Sequence, residues 1–288
     1  MNYLEKNDKL ESGYEIFYRI WLPDQAPSGV ICLVHGLGEH SGRYKNVALK
    51  LTFSGYAVIA FDLPGHGKSS GKRGSVKYHI LQETIHHGIQ KSFRLLPLAP
   101  VFLYGHSMGG NLVLHYALNN KTDLAGLICT SPWLRLKKEP SPFLKIIARV
   151  LSLFAPGITF SSGIRPADIS HDPNQVYDYQ SDKLIHNKIS VGLFFEIEHS
   201  ARIIRKSIYK INNPFLLMHG DADKITLPAA SQNFVRGSGK KTTFRLWPGA
   251  FHELHHEQNS DEVIEYIINW LNSIVVDVPE KAVSNGYF

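Results

Sequence analysis

Cysteine is nearly absent: Cys32 and Cys129 are the only two in 288 residues. Both lie in apolar, strand-like runs, so they read as two buried free thiols, as suits a reducing cytoplasm, and not as a disulfide. No run of 18 or more apolar residues occurs, so nothing reads as a membrane span. The opening MNYLEKNDKLES mixes acids and bases without an apolar stretch, so it does not read as a signal peptide. Neither sign of charge dominates: 31 Lys and Arg face 25 Asp and Glu. With no aromatic and basic interleaving and no nucleic-acid motif, a nucleic-acid partner is not expected. Repeats and low-complexity segments are missing too. What remains is an ordinary globular composition, 43% apolar, long enough for one large α/β domain or one domain plus an insertion.

The first half of the chain alternates. GVICLVHG (29–36), YAVIAFDLPGHG (56–67), PVFLYGHS (100–107) and DLAGLICTSP (123–132) are short, nearly continuous apolar runs, as expected of strands buried on both faces. Helix-like segments at 43–55, 75–96 and 110–120 separate them, which predicts a mostly parallel sheet flanked by helices. YEIFYRIWLP (14–23) alternates and predicts an antiparallel edge strand. After Pro132 the pattern breaks into prolines, loops and amphipathic helices at 142–154 and 189–210. It resumes with NPFLLMHGDAD (213–223), TTFRLWPGAFH (242–252) and a last helix at 260–275, with Ser260 as its N-cap. The expected division is therefore a core of 1–132 and 208–288 with a helical cap insertion, 133–207. The tail after Val276 reads as loosely ordered.

GHSMG fits G-x-S-x-G, with strand VFLY before it and helix NLVLHYAL after. A serine on so sharp a turn projects its hydroxyl away from the backbone, and the glycines let neighbouring chain pass close. A hydroxyl at its free pKa is a poor nucleophile and needs a base. On this strand–turn–helix scaffold the chain order is serine, acid, histidine. HGDADKI (219–225) and PGAFHELHH (248–256) each follow a strand. They make Asp223 the expected acid, with Asp221 its rival, and His252 the expected base, with His255 and His256 its rivals. An oxyanion hole needs two backbone amides, assigned to Met108, after the serine, and Leu37, in the loop VHGLGEH. His35, Asp62 and His66 read as scaffolding. Acyl transfer by this set needs neither metal nor organic cofactor.

HGLGEHSGRY, FDLPGHGKS, GHSMGG, HGDAD and GAFHELH, in this order, resemble the monoacylglycerol lipase and lysophospholipase branch of the α/β-hydrolase fold. So does the stretch YDYQSDKLIHNKISVGLFFE in the insertion, and the resemblance runs from about residue 14 to 275. It implies a serine esterase that cleaves lipid esters, with monoacylglycerol the first substrate and lysophospholipids, simple carboxylic esters and thioesters the alternatives. It also implies a polar recess for a glycerol head group, at Glu39, Arg43, His255 and Tyr179. A diol needs donors and acceptors close together, which these side chains supply. Two other readings stay open: a peptidase on the same fold, and a hydrolase-like binding protein without activity.

Residues 133–165 carry six basic side chains, Arg135, Lys137, Lys138, Lys145, Arg149 and Arg165, against one acid, Glu139. In PFLKIIARVLSLF (142–154), Lys145 and Arg149 share one helical face and apolar residues cover the rest. Such a helix suits peripheral contact with a membrane surface or a place over an acyl tunnel. The sequence assigns no oligomeric state.

Overall fold

A computed structural model describes residues 1–120, 123–239 and 241–276. The tail expected to be loosely ordered lies outside the described residues. Strands β1 (Asn2–Lys9), β2 (Glu15–Leu22) and β3 (Gly29–Val34) open the chain, and α1 (Lys45–Phe53) leads to β4 (Tyr56–Phe61). Next come α2 (Tyr78–Leu95), β5 (Val101–His106), α3 (Met108–Asn119) and β6 (Gly126–Thr130). The chain then leaves the sheet for α4 (Pro142–Phe154), β7 (Thr159–Ser161), α5 (Pro173–Ser181), β8 (Lys188–Ser190) and α6 (Val191–Ile204). It returns as β9 (Phe215–Gly220), α7 (Pro228–Val235), β10 (Thr242–Trp247) and α8 (Ser260–Val276).

Eight strands form one sheet in the order β1-β2-β4-β3-β5-β6-β9-β10. The pairings of β1 with β2 and of β2 with β4 are antiparallel, and all others in this sheet are parallel. The central strands are apolar at nearly every position because both faces are covered. On β3, Val30, Cys32 and Val34 face the core beneath α2, α3, α6 and α7, whereas Ile31 and Leu33 face the core beneath α1 and α8. Cys32 and Cys129 are buried free thiols, and burial pushes the Cys32 thiol up to about 12.

Some elements differ from the sequence reading. β2 is not an edge: β1 pairs along its whole length, from Asn2↔Leu22 to Lys9↔Glu15. NYLEKNDK has no apolar face of its own. It is a strand because β2 offers an open edge, and its charges suit the outermost position. Two helices have no counterpart in the sequence reading, α5, which Asp172 caps by accepting from Asn174 N, and α7. Asn259, not Ser260, stands before α8, and its carbonyl accepts from the amides of Glu262 and Val263.

Between β6 and β9, α6 packs against α3, while α4 has no buried residue. The YQSDKLIHNK stretch docks onto the loop after β3. His186 N donates to Gly38 O at 2.9 Å, and His40 Nε2 lies 2.7 Å from Asp182 Oδ2.

Candidate active site

Parallel strands end together. The carboxyl ends of β3, β5, β6, β9 and β10 share one edge of the sheet, and each sends a polar loop there. Ser107 is the single residue between β5 and α3, at φ 53° and ψ −116°. A non-glycine held at positive φ stores about 1–3 kcal/mol, so the surroundings must enforce it. They do: Ser107 N donates to Thr130 O at 3.0 Å, and Ser107 O accepts from Trp133 N at 2.9 Å and Asn111 N at 3.1 Å. The flanking glycines are required by contact. A Cβ on Gly105 would lie 2.4 Å from Gly109 O, and one on Gly109 would lie 2.2 Å from Val34 O.

Ser107 Oγ lies 2.9 Å from His252 Nε2, and His252 Nδ1 lies 2.7 Å from Asp223 Oδ2. All three residues are buried. The ionised carboxylate fixes the tautomer: Nδ1–H donates to Asp223, leaving Nε2 to accept the serine proton. Burial works against a charged His252, but Asp223, with Glu253 and Glu39 beyond it, more than reverses this, so its pKa stands above the ordinary histidine value. Burial likewise works against the Asp223 carboxylate, and His252 and His219 beside it hold it far below the usual carboxylate range. Asp221, the rival acid, sits in an exposed turn and accepts from Gly249 N at 2.6 Å. His256, a rival base, lies 2.7 Å from Glu253 Oε2 and 3.0 Å from the Arg43 carbonyl. His255, the other, stacks on Tyr44 with ring centroids 4.6 Å apart and meets His106 edge-on at 4.9 Å.

Leu37 follows Gly36 in the loop after β3, and Met108 opens α3. The first amides of a helix have no partner within it, so Met108 N–H is available and lies at the positive end of the α3 dipole. Gly36 N donates to Glu39 Oε1 at 2.6 Å, and this carboxylate also accepts from Tyr44 OH at 2.8 Å, which braces the Leu37 loop beside Ser107.

Two cavities meet at Ser107. One is a small recess of about 10 Å³ walled by Leu37, Ile164 and Ile169 together with Gly36, Glu39, His106, Tyr179, His252 and Glu253. The other is an apolar cavity of about 770 Å³ under α4, lined by Leu37, Trp133, Ile147, Leu151 and Phe194 among others. A larger cleft of about 970 Å³ on the far side of α6 includes none of Ser107, His252 and Asp223.

Of the four side chains expected in the recess, Glu39 and Tyr179 line it. Arg43 and His255 stand behind it. The Arg43 guanidinium grips Glu253 through two bonds of 2.6 and 2.7 Å and Glu39 through one of 2.9 Å, and it lies 4.9 Å from the Tyr179 ring centroid. Two buried carboxylates need a cation, and Arg43 is held there by that need. The rings of Tyr44 and His106 screen His255. Glu253 was not anticipated; its signal was an acid directly after His252 in HELHH. Glu253, His255 and His256 bring ligand atoms within 4.8 Å of one another. The Arg43 guanidinium already supplies a fixed cation there, 3.2 Å from His256 Nδ1, so this set does not suit a metal ion.

Asp62, read as scaffolding, accepts from Arg19 Nη1 at 3.1 Å, Ser41 N at 2.8 Å and Lys68 N at 2.7 Å. His35 Nε2 accepts from Leu63 N at 2.9 Å. His66 is buried in the same turn.

A family model described as serine aminopeptidase, S33, matches residues 25–259. The chain is 31% identical to the monoacylglycerol lipase of Mycolicibacterium smegmatis, over 91% of this chain and 94% of that protein. It is 36% identical over 93% of its length to an uncharacterised abhydrolase domain-containing protein of Dictyostelium discoideum, of which it spans 29%. Among solved structures, the monoacylglycerol lipase of Paleococcus ferrophilus is similar with a TM-score of 0.83 and 34% identity, over 90% of this chain and 99% of that one.

Proposed function

Because the chain belongs to the monoacylglycerol lipase family of the α/β-hydrolases, a group of carboxylic ester hydrolases, we propose that it cleaves monoacylglycerol to fatty acid and glycerol, with Ser107, His252 and Asp223 as its triad. The observation that carries this reading is the apolar cavity that reaches Ser107 and shares Leu37 and Ile164 with the small recess. An acyl chain enters it and leaves the ester carbonyl beside the serine. His252 Nε2 takes the hydroxyl proton as Oγ bonds to the carbonyl carbon. The amides of Leu37 and Met108 stabilise the negative oxygen. The ester C–O bond breaks, and His252 returns the proton to the departing glycerol oxygen. Water then attacks the acyl-serine with His252 again as base, releasing the fatty acid and restoring Ser107.

In this reading Glu39 and Tyr179 contact the leaving group, and Arg43 and His255 shape the recess from behind. The recess is small, so it admits a glyceryl group as Tyr179, on α5, gives way. Among the described residues, 133–207 form the cap, and 1–132 with 208–276 the core. The peptidase reading fits less well. Recognition of a free ammonium needs an unpaired acid, and Glu39 and Glu253 are already held by Arg43.

The cap also supports contact with a membrane surface. Phe143, Ile146, Val150, Leu153 and Phe154 on α4 are exposed, Phe154 to 84%, and Lys137, Lys138 and Arg149 lie nearby. No helix among the described residues is long and apolar enough to cross a bilayer. The buried free thiols favour a cytoplasmic setting.

The test is fatty-acid release from monooleoylglycerol, oleoyl-lysophosphatidylcholine and trioleoylglycerol in parallel, with Ser107→Ala as control. Release chiefly from monooleoylglycerol, lost in the variant, supports the proposal. Preference for the lysophospholipid keeps the triad and overturns the head-group assignment. Full activity in Ser107→Ala overturns the mechanism.

A further inference from the structure

Asp223 is held by two imidazoles. His219, near the carboxyl end of β9, is fully buried. Phe215 and Leu217, at alternate positions of the same strand, belong to the apolar core beneath α7. An imidazole on that face needs a partner for each nitrogen. His219 has both: Nε2 lies 3.0 Å from Asp223 Oδ2, and Nδ1 lies 2.8 Å from Ser231 Oγ on α7. An ionised carboxylate only accepts, so Nε2 carries the proton and the Ser231 hydroxyl donates to Nδ1. The result is a line of five groups, Ser231–His219–Asp223–His252–Ser107, joined at 2.8, 3.0, 2.7 and 2.9 Å.

The remaining donors to Asp223 are local. Oδ1 accepts from Ile225 N at 2.7 Å and Thr226 N at 3.0 Å, and Oδ2 from Thr226 Oγ1 at 2.7 Å. These lie within three residues of Asp223, and the Thr226 hydroxyl also lies 3.2 Å from Ser131 O after β6 and 3.2 Å from His219 Nε2. His219 ties it to the sheet and to α7.

We propose that His219 is a positioning residue for the reaction, holding Asp223 between two imidazoles so that His252 faces a carboxylate fixed in place and reduced in basicity. The inference rests on the Ser107–His252–Asp223 assignment. A hydrogen bond to the ionised form lowers a carboxylate's basicity, and the weaker base gives less support to a charged His252. Besides Asp223, the charged or titratable groups facing His252 are Glu253, beside it in the chain, Glu39 after β3, and His106, whose ring lies 4.8 Å away. Losing the His219–Asp223 bond leaves those groups unchanged and strengthens Asp223 as a base. The acid limb of the pH–rate profile then moves to higher pH.

Two substitutions separate the bonds. His219→Gln places an amide nitrogen near the position of Nε2 and keeps the donor to Asp223. His219→Asn places one near Nδ1, keeps a bond to Ser231 and loses Asp223. The assay is kcat, KM and the pH profile on a soluble aryl ester, with His252→Ala in parallel. His219→Asn is expected to lose about tenfold or more in kcat at constant KM, the scale of a lost hydrogen bond to a charged group, with its acid limb moved up. His219→Gln is expected to retain most of the rate and the wild-type limb. Identical profiles in the two variants, or the larger loss in His219→Gln, overturn the proposal. Activity retained in His252→Ala overturns the triad on which it rests. Imidazole nitrogen NMR of the unmodified enzyme gives a reading free of any folding defect: His219 as the Nε2–H tautomer supports the proposal, and the Nδ1–H tautomer overturns it.

Discussion

Replacing Arg43 with methionine should destabilise the protein in a way that grows with pH. The guanidinium bonds Glu253 twice and Glu39 once, and the three side chains are only 7%, 4% and 3% exposed. Burial pushes both carboxyls up, and Arg43 more than reverses this, so both stand below the ordinary range. In the wild type their contribution is therefore present above the unfolded carboxylate value and is lost as pH falls through the lowered one. Arg43→Met leaves burial unopposed. Removing one partner of a buried ion pair costs about 3–5 kcal/mol. Glu39 keeps Gly36 N and Tyr44 OH, and Glu253 keeps His256, so about 4 kcal/mol at pH 8 is the working figure. That is a large share of a typical 5–15 kcal/mol and corresponds to a fall in Tm of roughly 8–16 °C. That deficit includes the cost of keeping a carboxyl protonated in the folded variant, which rises by at most ~1.4 kcal/mol per pH unit above its unfolded value, so it should shrink toward pH 4. Urea unfolding of both proteins at pH 5 and pH 8 measures it. An equal deficit at the two pH values, or one below about 1 kcal/mol at pH 8, would refute the view that Arg43 is held by the carboxylates.

The other predictions concern the proton, the acyl chain and the cap. His252 must be neutral to act as base and its pKa is raised, so kcat/KM should rise with pH through a value above 6.5; a rate flat from pH 5 to 9 would remove His252 from that role. The stability from its ion pair with Asp223 runs the other way, being present below the ordinary histidine value and lost as pH rises through the raised one. Ala148→Phe adds a ring to the apolar cavity and should slow release of long acyl chains while sparing acetyl esters; equal effects on both would place the acyl chain elsewhere. Leu153→Glu with Phe154→Glu should cut co-sedimentation with anionic vesicles and leave hydrolysis of a soluble ester intact, and undiminished sedimentation would argue against α4 as the contact.

The parallel sheet was legible because strands buried on both faces are written as apolar runs, and β3, β4, β5, β6 and β9 are buried at every position. The sharp turn at Ser107 was legible because only glycine tolerates the 2.4 and 2.2 Å approaches at Gly105 and Gly109. That Asp223 and His252 come together beside Ser107 was legible because each follows a strand, and parallel strands must deliver their following loops to one edge. Those features are local, or follow from local features by topology.

Other features depend on partners distant in the chain, and composition carries no trace of them. β1 is a strand because β2 had a free edge. Arg43 turns from the recess to Glu253, 210 residues away, because two carboxylates share its burial. His255 is shut off by rings that arrive from the turn before α1 and from the end of β5, and His219 pairs with Ser231 only once α7 has packed against β9. A single sequence records which groups are available. Which of them end up within 3 Å of each other is set by packing, since a buried charge or hydrogen-bond donor takes whatever partner the fold brings to it.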